Sequence, residues 1–315
     1  MIVVSAPDFS LQATLESGQA FRWKYKNGPG PSGLQAGAGW YYGFIPLPSV
    51  PDGFGGPSCA AKVKQDGGTL TIETIDARLT PADVRRYFAL DVELEAILRA
   101  IDVDAQIHDA VRRFRGLRVL RQDPWECLAS FICSSYNNIK RIEGMIERLS
   151  QAFGVPIAFN GFRGCAFPTP EAIARAPERR LRELGLGFRA GYLRATAKLI
   201  ASGRLPLETL RRTDYRVTKA ALLRCEGVGD KVADCVALFG FEKYEAFPVD
   251  LWIERAMRYY FRSAKMTPTR IHDFAWQHFG RYAGWAQQYL YHYVRTARKG
   301  MQDVRHTTQG TVTIS

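Results

Sequence analysis

Two short segments contain residues whose types and spacing could do covalent chemistry. The first, Cys225–Lys231, has the sequence CEGVGDK and predicts a glycine hairpin that opens a helix. Lys231 would then stand in the first turn of that helix, where the helix dipole disfavours a cation. With partial burial, this position favours the neutral amine, the form in which lysine attacks a carbon centre. The second segment, Phe247–Asp250, places a carboxylate at the start of the next helix.

The glycines of the hairpin indicate a binding site for an anion. Gly227 and Gly229 permit backbone angles and close approaches that a Cβ atom would block. A hairpin of this kind points successive N–H groups outward. Those of residues 227–229, with Val228 between the two glycines, join the following helix N-terminus to form an anion site. A nucleic-acid phosphate is the expected occupant.

Each of these features also has a simpler interpretation. A Gly-x-Gly turn before a helix is common. Lys231 could serve only as a phosphate contact, and Asp250 could be only an N-cap. The motif alone therefore leaves both catalysis and simple binding open.

The distribution of charge favours a polyanion partner. The 315 residues carry a formal net charge of +12. Residues 1–104 hold 9 Lys+Arg against 12 Asp+Glu, whereas residues 105–315 hold 34 against 19. The basic surplus therefore belongs to the part with the hairpin, as expected for a protein that binds nucleic acid. A solvated basic surface without a partner is the alternative.

Composition excludes several other classes of protein. The chain is 46% hydrophobic and 23% charged, and it contains no apolar run long enough to span a bilayer. Residues 1–7 lack the charged start and long apolar core of a signal peptide. The six cysteines form no C-x-x-C pair and predict reduced thiols in an intracellular protein. No cysteine follows Cys235, which excludes a cysteine-ligated iron–sulfur cluster in the C-terminal part, and the histidines show no metal-ligand spacing.

The elements that must position these residues predict an α+β fold. A small antiparallel β-sheet domain is expected first, from alternating segments such as 40–45 and 69–75, with a hairpin turn at Asp66–Gly68. Gly/Pro-rich loops are expected at Asn27–Gly39 and Pro46–Pro57. A mainly α-helical domain follows. Helices are predicted at 80–89, 92–101, 105–115, 124–134, 138–153, 178–184, 189–202, 213–224, 230–240, 250–260, 269–278 and 282–298.

The predicted division of the chain follows from this pattern. Residues 1–104 form the β domain with its connecting helices. Residues 105–299 form the helical domain, with a helix–hairpin–helix motif at about 213–240. Residues 300–315 are polar and predict a loose tail.

The hairpin, Lys231 and Asp250 resemble the helix–hairpin–helix DNA glycosylase superfamily. Further segments resemble one branch of it, the 8-oxoguanine DNA glycosylase/AP lyases of the eukaryotic type. These segments are Ser17–Trp23, Leu120–Cys127, Phe131–Ile139, Leu184–Ala190 and Tyr282–Gln287. The similarity is continuous from about Asp91 to Arg298 and patchier in the N-terminal sheet. The lack of iron–sulfur ligands argues against the endonuclease III and adenine-glycosylase branches.

The resemblance implies a mechanism. The lesion nucleotide is flipped out of double-stranded DNA, and Lys231 attacks the anomeric carbon of its sugar and displaces the base. The resulting Schiff base permits β-elimination, which nicks the strand. Asp250 stabilises the positive charge that develops on the sugar and helps to position the lysine. No metal or organic cofactor is expected.

The resemblance also implies a setting and leaves alternatives. We expect a monomer that associates with DNA inside the cell and not with a membrane; the compartment depends on the organism. The same chemistry could act on another oxidised purine, such as a formamidopyrimidine. A non-enzymatic helix–hairpin–helix module would need the glycines and the basic face but neither Lys231 nor Asp250.

Four further residues match a pocket for the lesion base. The carbonyl of Gly18 matches the group that accepts the N–H at N7 of 8-oxoguanine, where guanine has an acceptor. Cys235 and Tyr291 match the two walls of the pocket, Tyr291 at a position that is usually Phe. Gln287 matches the residue that reads the Watson–Crick edge. Ordinary helix packing is the alternative for each.

Asn137, Arg141 and Arg189 match residues that contact the cytosine left opposite the flipped base. Exposed helix positions are the alternative for the arginines.

Two departures from the family pattern bear on function. Tyr136 stands where the family usually has Asn and could wedge into the gap in the stack, which puts the opposite-base preference in doubt. Trp252 stands where a phosphate-contacting His is frequent, which puts turnover or product affinity in doubt.

Overall fold

An antiparallel sheet forms the N-terminal part of the molecule. We describe residues 1–26, 39–47, 58–159, 162–260 and 267–308 of a computed structural model. Five strands pair in the order β1-β5-β4-β3-β2. They are β1 (Ile2–Ser5), β2 (Lys24–Lys26), β3 (Trp40–Pro46), β4 (Ser58–Asp66) and β5 (Thr69–Thr74). The predicted β domain is confirmed, although neither β1 nor β2 was expected.

The predicted hairpin turn is confirmed in register. Asp66 pairs with Thr69, which leaves Gly67 and Gly68 as a two-residue connection between β4 and β5. Gly67 has φ +54°, a conformation that glycine adopts without strain. The loops expected at Asn27–Gly39 and Pro46–Pro57 lie almost wholly outside the described residues.

Helices make up most of the remaining structure. They are α1 (Leu11–Leu15), α2 (Pro81–Tyr87), α3 (Leu94–Ile101), α4 (Ala105–Arg113), α5 (Pro124–Cys133), α6 (Ile139–Phe153), α7 (Pro170–Arg175), α8 (Glu178–Leu181), α9 (Arg189–Ala201), α10 (Leu207–Arg211), α11 (Tyr215–Leu222), α12 (Asp230–Phe241), α13 (Leu251–Tyr260), α14 (Pro268–Phe279) and α15 (Ala283–Thr308). A π-helical turn (Arg182–Leu186) follows α8, and a 3₁₀ turn (Gly280–Tyr282) precedes α15. A small hairpin of β6 (Pro156–Phe159) and β7 (Phe162–Cys165) follows α6.

Proline marks several helix starts, as the sequence predicted. Four helices begin at a proline whose preceding residue caps the helix with its side-chain oxygen. These pairs are Thr80–Pro81, Asp123–Pro124, Thr169–Pro170 and Thr267–Pro268. Proline suits the first turn because the N–H that it lacks would have no partner there.

The chain end differs from the prediction. A loose tail was expected from residue 300, but α15 continues to Thr308; residues 309–315 lie outside the described part of the chain. A single glycine, Gly300, costs a helix only about 1 kcal/mol relative to Ala. The segment that follows it contains no proline, so nothing in the backbone ends the helix there.

The helical core is centred on α5 and α12. Nine of the ten residues of α5 are buried, all except Glu126, and ten of the twelve residues of α12 are buried. The two helices pack together, with Phe131 stacked on Phe239 at a centroid distance of 5.7 Å. A separate core fills the space between the sheet, α1 and α2, and includes Val63, Leu70 and Ile72. Lys231 lies at the partly exposed start of α12, beside the C-terminal end of α5.

The cap of α5 predicts a pH-dependent stability. Asp123 is 8% exposed and accepts the N–H of Glu126 at 2.8 Å, and burial raises its pKa to about 6. An exposed aspartate has a pKa near 3.9, so the ionised carboxylate destabilises the fold increasingly between about pH 4 and 6. Asp123→Asn keeps a capping oxygen and should raise the free energy of unfolding by about 1–3 kcal/mol at neutral pH. Urea denaturation should show little gain near pH 4; an equal gain at both pH values would contradict this account.

Candidate active site

The glycine hairpin has the geometry that the sequence predicts at one of its two glycines. Gly227 has φ +75°, and a Cβ there would overlap the ring of Tyr192. Val228 is buried, and its N–H donates to the carbonyl of Cys225 at 3.2 Å. Gly229 differs, because it is the N-cap of α12 with an ordinary φ of −96°. A Cβ added to Gly229 would meet no atom within 4 Å, so the space beside this residue is open to a ligand.

Lys231 is the second residue of α12 and is partly buried. Its Nζ donates to Ser134 Oγ at 3.1 Å and lies 5.2 Å from the centroid of the Phe131 ring. Ser134 in turn donates to the carbonyl of Phe131 at 2.7 Å. Ser134 lies within the segment Phe131–Ile139, but no local pattern there predicts its contact with the lysine. This hydroxyl holds the amine at the junction of α5 and α12.

Asp250 caps α13. Its Oδ1 accepts the N–H groups of Trp252 at 3.0 Å and Ile253 at 2.9 Å, so the predicted N-cap is confirmed. Burial raises the pKa of Asp250 above its ordinary value, while these N–H groups and the charge of Lys231 oppose that shift. The carboxylate therefore lies within electrostatic range of the lysine.

The Gly18 loop packs against α6 and α15. Gly18 has φ +82°, and a Cβ there would lie 3.3 Å from Tyr291 Cε1 and 3.3 Å from Ile139 Cδ1. The next residue, Gln19, is fully buried and accepts the N–H of Leu120 at 2.7 Å. A side chain at position 18 would be strained in its backbone and crowded, which explains the glycine.

Cys235 and Tyr291 lie close to the lysine–aspartate pair. Burial raises the pKa of Cys235 to about 12, with the charge of Lys231 opposing and that of Asp250 adding to the shift. Burial likewise raises the pKa of Tyr291 to about 12, and the charges of Asp250 and Cys235 contribute to that increase. The structure thus gathers Gly18, Tyr291, Cys235, Lys231 and Asp250 in one region.

Gln287 has a free acceptor in this region. It is 4% exposed, and its Nε2 donates to the carbonyl of Pro248 at 3.1 Å. Its Oε1 is buried and has no hydrogen-bond partner among the described residues. Buried polar atoms are seldom left without a partner, so this oxygen is available to a donor on a ligand.

An exposed aromatic pair lies at the C-terminal side of α5. Tyr136 is 97% exposed and has φ +50°, and Phe188 is 48% exposed. Between them Arg189 is only 9% exposed and donates to the carbonyls of Ser135 and Tyr136. The interpretation of Arg189 as an exposed helix residue is therefore wrong. Its guanidinium fixes the loop that presents Tyr136, and contact with a base stays a prediction. The exposure of Phe188 was not predicted from the sequence.

Asn137 and Arg141 flank this loop. Asn137 is partly buried, and its amide donates to the carbonyl of Cys133 at 3.3 Å and accepts the N–H of Asn138 at 3.1 Å. Arg141 is exposed in the first turn of α6, and its backbone N–H donates to Oδ1 of the N-cap residue Asn138 at 3.0 Å. Both lie on the side of the molecule that carries Tyr136, and their contacts to an opposite base stay predictions.

Trp252 lies two residues after Asp250 and is partly buried. The guanidinium carbon of Arg255 lies 5.3 Å from the centroid of its ring. The indole therefore lies beside a cation near the start of α13, and its predicted phosphate contact remains untested.

A further cleft lies away from these residues. An open cleft of about 880 Å³ separates α11 from α14 and is lined by Lys219, Asp230, His272 and Trp276, among others. None of the residues predicted for the site lines it. Among the described residues, no group of three or more His, Cys, Asp or Glu side chains could hold a metal ion, and no helix is long and apolar enough to cross a membrane.

Two family models match the chain along most of its length. Residues 1–128 match the N-terminal domain of 8-oxoguanine DNA glycosylase, and residues 129–280 match the HhH-GPD superfamily of base excision DNA repair proteins. The N-glycosylase/DNA lyase OGG1 of Arabidopsis thaliana is 32% identical over 90% of this chain and 77% of its own length. The N-glycosylase/DNA lyase of Saccharomyces cerevisiae is 35% identical over 65% and 64%, respectively.

Solved structures agree over nearly the whole chain. MBOgg1 in complex with a low-affinity DNA ligand has a TM-score of 0.82 and 33% identity, covering 94% of this chain and 95% of that chain. The Clostridium acetobutylicum 8-oxoguanine glycosylase/lyase bound to double-stranded DNA has a TM-score of 0.81 and 30% identity, covering 95% and 99%.

Fold and site together define a helix–hairpin–helix DNA glycosylase of the HhH-GPD superfamily. Within that superfamily, the chain belongs to the 8-oxoguanine DNA glycosylase family.

Proposed function

We propose that the protein removes 8-oxoguanine paired with cytosine from double-stranded DNA and then nicks the abasic strand. The observation that carries this proposal is that Lys231, Asp250 and Cys235 lie within electrostatic range of one another. Tyr291 lies within range of Asp250 and Cys235 and packs beside Gly18. These are the groups that a bifunctional glycosylase needs for base removal, base recognition and covalent capture of the sugar.

The chemistry proceeds in two stages. The neutral amine of Lys231 attacks C1′ of the flipped nucleotide, and the bond from C1′ to N9 breaks as the base leaves with its electron pair. The Asp250 carboxylate stabilises positive charge on the sugar during this step. The departing base takes one proton from Nζ, and the bond from C1′ to O4′ then breaks as O4′ takes a proton from water, which leaves an iminium ion that links Nζ to C1′. Loss of a proton from C2′ then breaks the bond from C3′ to O3′, and water later releases the lysine.

Recognition of the base rests on the pocket. The carbonyl of Gly18 accepts the N7–H of 8-oxoguanine, and the free Oε1 of Gln287 accepts a donor from the Watson–Crick edge. Cys235 and Tyr291 cover the two faces of the base. In guanine N7 carries no hydrogen, so two acceptors would face each other at the Gly18 carbonyl. Such an unmatched contact costs about 1–3 kcal/mol.

Contacts outside the pocket would hold the duplex. The N–H groups of Gly227 and Gly229 bind a phosphate. The predicted contribution of Val228 is limited, because its N–H already donates to the carbonyl of Cys225. Trp252 lies close enough to Asp250 to contact another phosphate. Tyr136 enters the space left by the flipped base, while Asn137, Arg141 and Arg189 face the remaining cytosine. We expect the protein to act as a monomer on DNA, in the nucleus of a eukaryote or the nucleoid of a prokaryote.

Gly229→Ala should separate DNA binding from folding. The backbone of residue 229 suits alanine and its Cβ position is empty, so the loss of stability should be about 1 kcal/mol or less. The added methyl would stand where the phosphate approaches, so affinity for damaged and undamaged duplex should fall about tenfold. Fluorescence anisotropy and thermal unfolding measure the two effects. Gly227→Ala should lower both the DNA affinity and the stability of the fold. An unchanged affinity in Gly229→Ala would place the phosphate elsewhere.

The proposed substrate is tested by borohydride trapping on duplexes with 8-oxoguanine opposite each of the four bases, with guanine and formamidopyrimidine as comparisons. The strongest adduct is expected for 8-oxoguanine opposite cytosine. An adduct that forms equally with all four opposite bases would support the lysine chemistry and identify Tyr136 as the residue that relaxes the preference for cytosine. Binding without any adduct would contradict the proposal.

A further inference from the structure

Arg295 reaches the Gly18 loop from α15, one turn after Tyr291. Its Nη2 donates to the carbonyl of Glu16 and lies 3.3 Å from His292 Nδ1. Its guanidinium carbon lies 5.5 Å from the centroid of the Tyr291 ring. Its Nη1 lies 3.4 Å from the position that a Cβ of Gly18 would occupy. The guanidinium therefore stands at the point where the loop with the recognition carbonyl meets the aromatic wall.

The guanidinium has donors to spare at this point. Arginine carries five N–H donors, and the contacts to Glu16 and His292 both involve Nη2. Nε is buried without a partner, and neither of these two contacts involves Nη1. No carboxylate in the described part of the chain forms an ion pair with Arg295 within 4 Å; the charge of Glu143 acts on it only from a longer distance. A fixed cation with unused donors is suited to an acceptor on a ligand.

The lesion differs from guanine at two adjacent positions of one edge. N7 carries a hydrogen in 8-oxoguanine and is an acceptor in guanine. C8 carries a carbonyl oxygen in 8-oxoguanine and only a hydrogen in guanine. An acceptor from the protein reads the first difference, and a donor beside that acceptor would read the second.

We propose that Arg295 is a specificity-determining residue that donates from Nη1 to O8 of the lesion while the Gly18 carbonyl accepts from N7. This inference rests on the proposed function. Acceptor and donor then stand side by side and match both atoms that oxidation changes. The contact to Glu16 supports the same role, because it ties the donor to the loop that carries the acceptor.

The test uses Lys231→Gln throughout, so that binding is measured without turnover. Arg295→Met removes the donors and keeps an unbranched side chain, and Arg295→Lys keeps a cationic donor. Arg281→Met is the matched control, since Arg281 also lies over a tyrosine ring, 4.7 Å from Tyr282, and is exposed outside the site. Affinity is measured for duplexes with 8-oxoguanine, guanine or a tetrahydrofuran abasic analogue opposite cytosine. Thermal unfolding checks that each variant folds.

We expect Arg295→Met to weaken binding of the 8-oxoguanine duplex by about tenfold to a hundredfold. The guanine and tetrahydrofuran duplexes should be unaffected, Arg295→Lys should recover part of the loss, and Arg281→Met should have no effect. Equal losses on the 8-oxoguanine and tetrahydrofuran duplexes would assign Arg295 to the DNA backbone or the fold. A larger loss on guanine would mean that it contacts N7 and O6, and no loss would show that it does not read the base; each overturns the inference. If Lys231→Gln itself does not prefer 8-oxoguanine to guanine, the proposed function fails first.

Discussion

Replacing Lys231 by glutamine is expected to abolish base excision and covalent trapping, with a loss of rate of at least about a thousandfold. Glutamine has no amine to attack C1′, but its amide can still donate to Ser134 Oγ, which Lys231 contacts at 3.1 Å. The free energy of unfolding should therefore change by no more than about 1 kcal/mol. Single-turnover assays and anisotropy should show lost chemistry with retained binding of the lesion duplex.

Lys198→Gln is the matched control for this variant. Lys198 is exposed on α9, so its loss removes the same charge without touching the site. It should trap as well as the parent protein. Undiminished trapping by Lys231→Gln would remove Lys231 as the nucleophile.

Asp250→Asn should have the second largest effect and should separate charge from capping. Asparagine caps a helix about as well as aspartate, so the N–H groups of Trp252 and Ile253 keep their acceptor. The negative charge that stabilises the sugar cation is lost, and the excision rate should fall about 100-fold or more. Single-turnover rates measure this loss. A near-normal rate in Asp250→Asn would reduce Asp250 to a cap.

Stability should respond in the opposite direction. Burial raises the pKa of Asp250, which means that the ionised carboxylate is disfavoured in the fold. Asp250→Asn should therefore unfold at the same temperature as the parent protein or a higher one at neutral pH. The difference should shrink as the pH falls below the pKa of the folded state and vanish near the pKa of an ordinary aspartate. Asp250→Ala also loses the cap, so its free energy of unfolding should be about 1 kcal/mol lower than that of Asp250→Asn.

The same pKa shift predicts the acid limb of the pH profile. Asp250 becomes protonated at a higher pH than an ordinary aspartate, so the rate of base removal should begin to fall above the usual aspartate range. Asp250→Asn should lack this limb. A profile in which parent and variant share the same acid limb would assign it to another group.

Local signals account for what the sequence predicted well. The start of α12 at the glycine hairpin, the Thr–Pro and Asp–Pro helix starts and the turn at Gly67–Gly68 are fixed by residues close in sequence. The cap formed by Asp250 is of the same kind. Such features depend on backbone conformation and short-range hydrogen bonds, which residue types specify directly.

Contacts between distant segments account for what the sequence did not show. Ser134 meets Lys231 across 97 positions, and Arg189 meets the carbonyl of Ser135 across 54. Arg295 meets the Glu16 carbonyl across 279. Such pairings depend on how α5, α9 and α15 pack, and no local pattern encodes them. The edge strand β2 was missed for a related reason, since its three residues, KYK, are all exposed and carry no burial pattern.

The central claim is that the amine of Lys231 captures the sugar. The most direct measurement is borohydride reduction of the complex with 8-oxoguanine paired with cytosine, followed by protease digestion and mass spectrometry of the cross-linked peptide. The account predicts a reduced deoxyribose adduct on Lys231 within the segment Gly229–Val232. An adduct on another lysine or on the N-terminal amine, with Lys231 unmodified, would contradict it.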